Sequence, residues 1–109
     1  MVEFNLITGF PTAVIDTLNR KIGQYKRHYT FIKVGITGQE PAERFAQHLQ
    51  SFDWEKMIVI YSSESEKNCN QIEAMLVECH YNDLTNVRQG GGSELRERGK
   101  NYVYVLLKT

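Results

Sequence analysis

Phe31-Ile32-Lys33-Val34-Gly35-Ile36-Thr37 is the stretch whose reading decides the fold. β-Branched and aromatic residues, no proline and a glycine near the end predict a strand over Tyr29–Ile36. Alternation places Ile32, Val34 and Ile36 on one face, with Tyr29, Phe31 and Lys33 on the other. The chain then crosses Gly38-Gln39-Glu40-Pro41, and Pro41 suits the first turn of a helix, where its missing N–H costs nothing. That helix has an apolar face through Phe45, Leu49 and Phe52. Arg44 and His48, four apart, are neighbours on one side of it. A strand ending in glycine and followed by a cationic helix has the parts of a phosphate-handling site, although an Arg–His pair alone is common on helix surfaces.

Towards the N-terminus, Val2, Phe4 and Leu6 alternate with Glu3 and Asn5, the pattern of a short edge strand. From Pro11 onward Val14, Ile15, Leu18, Ile22 and Tyr25 recur at helical spacing. Asp16, Arg20, Lys21, Gln24 and Arg27 lie on the opposite side, so the helix is amphipathic. Gly23 costs this helix ~1 kcal/mol relative to alanine. A solvated face is the plain reading of its basic side, and contact with nucleic acid is the alternative.

Towards the C-terminus, Lys56-Met57-Ile58-Val59-Ile60-Tyr61 is a nearly continuous apolar strand, which predicts burial on both faces. Ser62 to Ser65 forms a turn and offers helix N-caps. A third helix follows over Glu66–Tyr81, with Ile72, Met75, Leu76 and Cys79 as its buried stripe and Glu73 bordering it. Such a glutamate is either a rim residue or a carboxylate reaching into a cleft. Gly90-Gly91-Gly92 makes a loop that permits close backbone approach. No Gly-Lys-Ser/Thr follows it, so the nucleotide-binding phosphate loop is absent. Glu94–Lys100 reads as a short basic helical turn. Tyr102-Val103-Tyr104-Val105-Leu106-Leu107-Lys108 closes the chain as a strand with Tyr102, Tyr104 and Leu106 on one face. Three such strands with helices around them make a small α/β or α+β domain.

The 109 residues fit a single domain, 1–109. No apolar run approaches the roughly 18–20 residues that span a bilayer. The first residues lack the basic start and apolar core of a secretory signal, so a reduced cytoplasmic (or nuclear) setting is expected. Cys69 and Cys79 on one helix would stand about 15 Å apart along its axis, too far for a disulfide. Together with His80 they lack the paired spacing of a zinc site, and a cysteine nucleophile is poorly supported with Cys79 on the buried stripe. The formal net charge is zero, which does not advertise a nucleic-acid binder. The charges are segregated, however. Arg20, Lys21, Lys26, Arg27 and Lys33 near the start, and Arg88, Arg96, Arg98, Lys100 and Lys108 near the end, flank an acidic middle.

Taken together, these residues resemble the GIY-YIG nuclease superfamily. Lys33-Val34-Gly35-Ile36-Thr37 looks like its second motif, in the variant with lysine where many members have tyrosine. Arg44, nine residues beyond Gly35, matches the helical arginine, and His48 matches the histidine one turn on in some restriction-type members. Glu73 within Ile72-Glu73-Ala74 looks like the metal-binding glutamate, and Asn86 like the late polar residue. The family's first strand precedes the second motif. Here that space holds the amphipathic helix, and the similar sequence Tyr102-Val103-Tyr104-Val105-Leu106 stands at the C-terminus.

The resemblance covers residues 29–109, with 1–28 as an N-terminal extension and helix. It implies a three-stranded, mainly antiparallel sheet flanked by helices, in a permuted order. The last strand would pair beside the Lys33 strand and deliver Tyr104 as general base, Tyr29 being the rival for that role. A Mg²⁺-dependent DNA endonuclease is the activity implied. One Mg²⁺ (or Mn²⁺) would be held by Glu73, Arg44 would contact the scissile phosphate and Lys33 would lower the tyrosine's pKa. His48 and Asn86 would orient substrate or water. Further substrate contacts are implied for Gly35, Thr37, Arg88, Gly91 and Tyr102.

The expected partner is double-stranded DNA. One domain makes one nick, so cutting both strands calls for a homodimer or two encounters, and a tethered partner could supply specificity. Two other readings compete: a nucleic-acid-binding module of the same fold without cleavage, and an unrelated protein-interaction domain.

Overall fold

The computed structural model describes residues 1–84 and 95–109. The chain runs β1 (Val2–Ile7), α1 (Pro11–Tyr25), β2 (Phe31–Thr37), α2 (Pro41–Leu49), β3 (Lys56–Ser63), α3 (Glu66–Cys79), a single 3₁₀ turn (Tyr81–Asp83) and β4 (Asn101–Lys108). The strands form one sheet in the order β1-β3-β4-β2. β4 is antiparallel to both β2 and β3, whereas β1 is parallel to β3. The expectation of a three-stranded sheet is therefore corrected to a four-stranded mixed sheet in a small α+β domain. The added strand is the alternating 2–7 segment, which the resemblance had set outside the core.

Each face of the sheet buries a different layer. Ile32, Val34, Ile36, Ile58, Ile60, Val103, Val105 and Leu107 pack with Leu18 and Ile22 of α1 and with Cys69, Ile72, Leu76 and Val77 of α3. On the opposite face Met57, Val59, Tyr104 and Leu106 pack with Phe45 of α2 and with Trp54. β3 and β4 are buried on both faces, which is why their sequences read as continuous apolar runs.

Local chemistry sets the ends of the helices. Proline occupies the first turn of α1 and of α2. Ser65 caps α3, its hydroxyl accepting from the Asn68 N–H at 3.1 Å. Ser62 and Ser63, expected in the turn, end β3 instead. The buried stripe of α3 is rotated from its expected position. Cys69, Ile72, Glu73, Leu76 and Val77 face inward and Cys79 is exposed, so Glu73 lies within the packed face. The basic helical turn expected over 94–100 is not formed by the described residues 95–100. The buried Asn101 side chain holds that segment instead, accepting from the Arg96 N–H at 2.6 Å and donating to the Arg96 carbonyl at 2.9 Å. No helix among the described residues is long and apolar enough to cross a membrane.

Candidate active site around Tyr104

β2 and β4 pair in a register that sets Lys33 opposite Leu106, Gly35 opposite Tyr104 and Thr37 opposite Tyr102. The last strand thus lies beside the Lys33 strand, as the permuted arrangement requires. Tyr104 is 1% exposed, and its ring lies across Gly35. A Cβ on residue 35 would stand 2.5 Å from both Cζ and the hydroxyl oxygen of Tyr104. Glycine is needed here for clearance rather than for a turn, since only a bare Cα lets the phenol cross the strand.

The phenol meets two side chains of α2. His48 Nε2 is 2.7 Å from the Tyr104 hydroxyl, and Arg44 Nε–H donates to the same oxygen at 3.4 Å. Arg44 also donates through Nη1 to Gln47 Oε1 at 2.9 Å, which orients the guanidinium. His48 is nearly buried, and its pKa is lowered to about 4 by burial, with the charges of Arg44 and Lys33 acting in the same direction. The imidazole is therefore neutral at pH 7. Arg44 Nε–H donates to the phenol oxygen, and in the tautomer with the proton on Nδ1 the phenol O–H donates to Nε2. Such a pair can take a proton from Tyr104 or pass one through it.

Tyr104 itself is raised above the ordinary tyrosine pKa, chiefly by burial, against which the Arg44 hydrogen bond works. The lowering expected from Lys33 is not found: the opposing positive charge is that of Arg44, and burial outweighs it. Lys33 is half-buried and shifted downward by burial and by Arg44, while Glu73 opposes that shift. Glu73 also acts electrostatically on Tyr104. Its carboxylate, only 4% exposed, acts on both groups from α3, whose buried face packs on the opposite side of the sheet from Tyr104.

The surface opening of this cluster is a groove of about 380 Å³ lined by Lys33, Arg44, Gln47, His48, Ser51, Phe52 and Trp54. Tyr104 lies beneath it. Gln47, Ser51, Phe52 and Trp54 are not among the site residues expected from the sequence, which reads Phe52 only as part of the apolar face of its helix. A position one turn from His48 or Arg44 on the same helix was the available signal for Gln47.

The other expected site residues fall in different places. Thr37 is fully buried, and its hydroxyl accepts from the Gln39 N–H at 3.0 Å, shaping the turn into α2. Tyr102 packs against the Tyr104 layer. Tyr29, the rival base, packs against the opposite layer, with Lys56 Nζ 5.9 Å from its ring centroid. It lines a separate depression of about 550 Å³ with Glu3, Tyr25, Arg27, His28 and Lys56. Asn86, Arg88 and Gly91 lie outside the described residues.

Among the described residues no three His, Cys, Asp or Glu side chains stand together as a metal-ligand group. Glu73 is the carboxylate closest in electrostatic effect to Lys33 and Tyr104. A single carboxylate fits Mg²⁺ or Mn²⁺ bound mainly through water and phosphate oxygens, and does not fit a closed protein cage. Comparison with protein-family models, with curated proteins and with solved structures finds no match for this chain.

Proposed function

We propose that the chain is a metal-dependent DNA endonuclease that hydrolyses a phosphodiester in the Lys33–Arg44–His48 groove. The observation that carries this reading is the meeting of Tyr104, His48 and Arg44 at one phenol oxygen beneath that groove. Phosphodiester hydrolysis needs a proton acceptor for the attacking water and fixed positive charge for the phosphate. Neutral His48 supplies the acceptor, directly or through Tyr104. Arg44 and Lys33 supply the charge, the guanidinium with a planar fork suited to phosphate oxygens. Glu73 would hold one Mg²⁺ or Mn²⁺, and such an ion, when bound, supplies Lewis-acid polarisation of the phosphate.

Nicking of supercoiled plasmid in Mg²⁺ tests the reading, with EDTA and Glu73→Ala as controls. Nicking that EDTA abolishes and that Glu73→Ala reduces at least about 100-fold supports it. Unchanged nicking in Glu73→Ala removes the metal role from that residue.

One observation favours a second reading. At 4% exposed, Glu73 has little free surface for a hydrated ion. A nucleic-acid-binding module of the same architecture needs only the groove and its cations. Salt-sensitive DNA binding without any nicking would select it.

A further inference from the structure

We propose that the Lys33–Arg44–His48 groove takes single-stranded DNA, stacking an unpaired base on Phe31 and Phe52 while a neighbouring phosphate sits at Lys33 and Arg44. This names the form of the substrate for the nucleic-acid reading of the groove and rests on that reading, though not on cleavage.

Two lines of side chains run side by side to build the site. Alternation along β2 puts Phe31, Lys33 and Gly35 on one face, the face on which Tyr104 lies across Gly35. Along α2 and the turn after it, Arg44, His48 and Phe52 recur four residues apart. The two lines meet at both ends. At one end Arg44 and His48 reach the Tyr104 hydroxyl over Gly35. At the other the rings of Phe31 and Phe52 stand 5.4 Å apart, edge to face, and the Phe52 ring is 4.7 Å from that of Trp54. Lys33 lies between them on β2. The site is therefore cationic over the phenol and aromatic at its far end.

The aromatic end is left open to water. Phe31 is 36% exposed and Phe52 37%, and contiguous exposed rings beside a groove mark a surface that something covers. Charge says what that is. Lys33 and Arg44 line the same groove as Phe52 and Trp54, whereas Lys108, opposite Phe31, is paired with Asp53 at 3.6 Å. The occupant thus carries an anionic group at the Lys33–Arg44 end and a flat apolar group at the other. A nucleotide has both.

The pairing state follows from which surfaces are free. In a duplex both faces of every base are covered by its neighbours, so Phe31 and Phe52 would meet only sugar and phosphate. An unpaired base offers its π-face, and aromatic side chains beside a cationic groove that tracks the backbone are how single strands are held. Size agrees, since about 380 Å³ is the volume of a small-ligand site and admits part of one strand rather than a double helix. Phe31 and Gly35 are four residues apart along β2, about 13 Å, so the stacked base flanks the phosphate held over the phenol. A supercoiled plasmid offers such bases, because negative supercoiling favours unpairing.

The test measures binding by the full chain in EDTA, where cleavage plays no part. The probes are an end-labelled oligothymidylate, a blunt duplex of the same length, and the oligothymidylate with abasic positions. Anisotropy of the label gives affinity, and Trp54, the sole tryptophan, reports occupancy through its fluorescence because it touches Phe52. The single strand is expected to bind at least about 10-fold tighter than the duplex, and removal of its bases to weaken binding about 10–100-fold. Phe52→Leu keeps apolar bulk against Trp54 but no π-face. It is expected to lose about 10–100-fold on the single strand and less than about twofold on the duplex, with Phe52→Tyr close to wild type. Phe31→Leu, on the other strand of the pair, is expected to shift in the same direction and reads the same contact should Phe52→Leu fail to fold. Arg44→Gln is expected to weaken both probes alike. No binding to either probe, a duplex bound as tightly as the single strand, or leucine variants that bind the single strand like wild type would overturn the proposal. Single-strand binding without nicking in Mg²⁺ leaves it standing and removes the endonuclease reading alone, whereas plasmid nicking with a preference for the duplex does the reverse.

Discussion

Tyr104 and Gly35 face each other across the β2–β4 ladder, and the phenol occupies the space in which any other residue at 35 would place its Cβ. The hydroxyl is thereby brought to His48 and Arg44. Gly35→Ala is accordingly expected to displace the ring, to destabilise by roughly 1–3 kcal/mol as overpacking does, and to abolish nicking. Thermal melting and the plasmid assay read the two effects. A variant with wild-type melting and wild-type nicking would show that the ring has other room.

His48 gives the fold a pH dependence whose sign can be worked out. Its folded pKa of about 4 lies below the ordinary value of 6.5. The unfolded chain therefore binds a proton in the interval where the folded chain does not. The contribution is intact above pH 6.5 and is lost as pH falls toward 4, a change on the order of 3 kcal/mol. Urea midpoints between pH 7 and pH 4 should fall for the wild type and fall less for His48→Gln. Parallel curves for the two proteins would contradict the buried, neutral imidazole.

Gly23 lies inside α1, and a Cβ added there meets nothing within 4 Å. Gly23→Ala is expected to stabilise by about 0.5–1 kcal/mol through helix propensity and a less free unfolded chain. Denaturant unfolding with an unchanged m-value checks this, and a destabilised variant would point to an unrecognised neighbour.

The two tyrosines proposed as base separate by position. Tyr29 packs against the α1–α3 layer near Lys56, and Tyr104 lies under the groove. Tyr29→Phe is expected to leave nicking within about twofold. A loss as large as that of Tyr104→Phe would transfer the role to Tyr29.

Much of this arrangement could be read from residue patterns, and some could not. The Lys33 strand, its following helix and the buried Lys56–Tyr61 strand announce themselves through side-chain period and proline placement, which are local properties. The pairing of the last strand with the Lys33 strand came only through a resemblance, because pairing between distant segments leaves no local mark. Their register was beyond reach for the same reason, and with it the role of Gly35 as clearance for Tyr104. The 2–7 segment showed its alternation, yet nothing in it reveals that it runs parallel to β3. Glu73 was placed beside the stripe of α3 rather than within it. A period of 3.6 residues leaves the centre of a face uncertain by about one position over a helix of this length. A carboxylate inside a packed face is also the less common case.

The most direct test of the central claim is nicking of supercoiled plasmid by Tyr104→Phe beside the wild type, in the same Mg²⁺ buffer and at equal DNA binding. Loss of the hydroxyl removes the oxygen that joins His48 to Arg44 and leaves the ring in place. The expected result is a fall in nicking of about 10²–10⁴-fold, the range for removal of an acid–base group, with DNA affinity changed by less than about threefold. Equal nicking by the two proteins, with melting unchanged, would contradict the assignment of this cluster as the catalytic site.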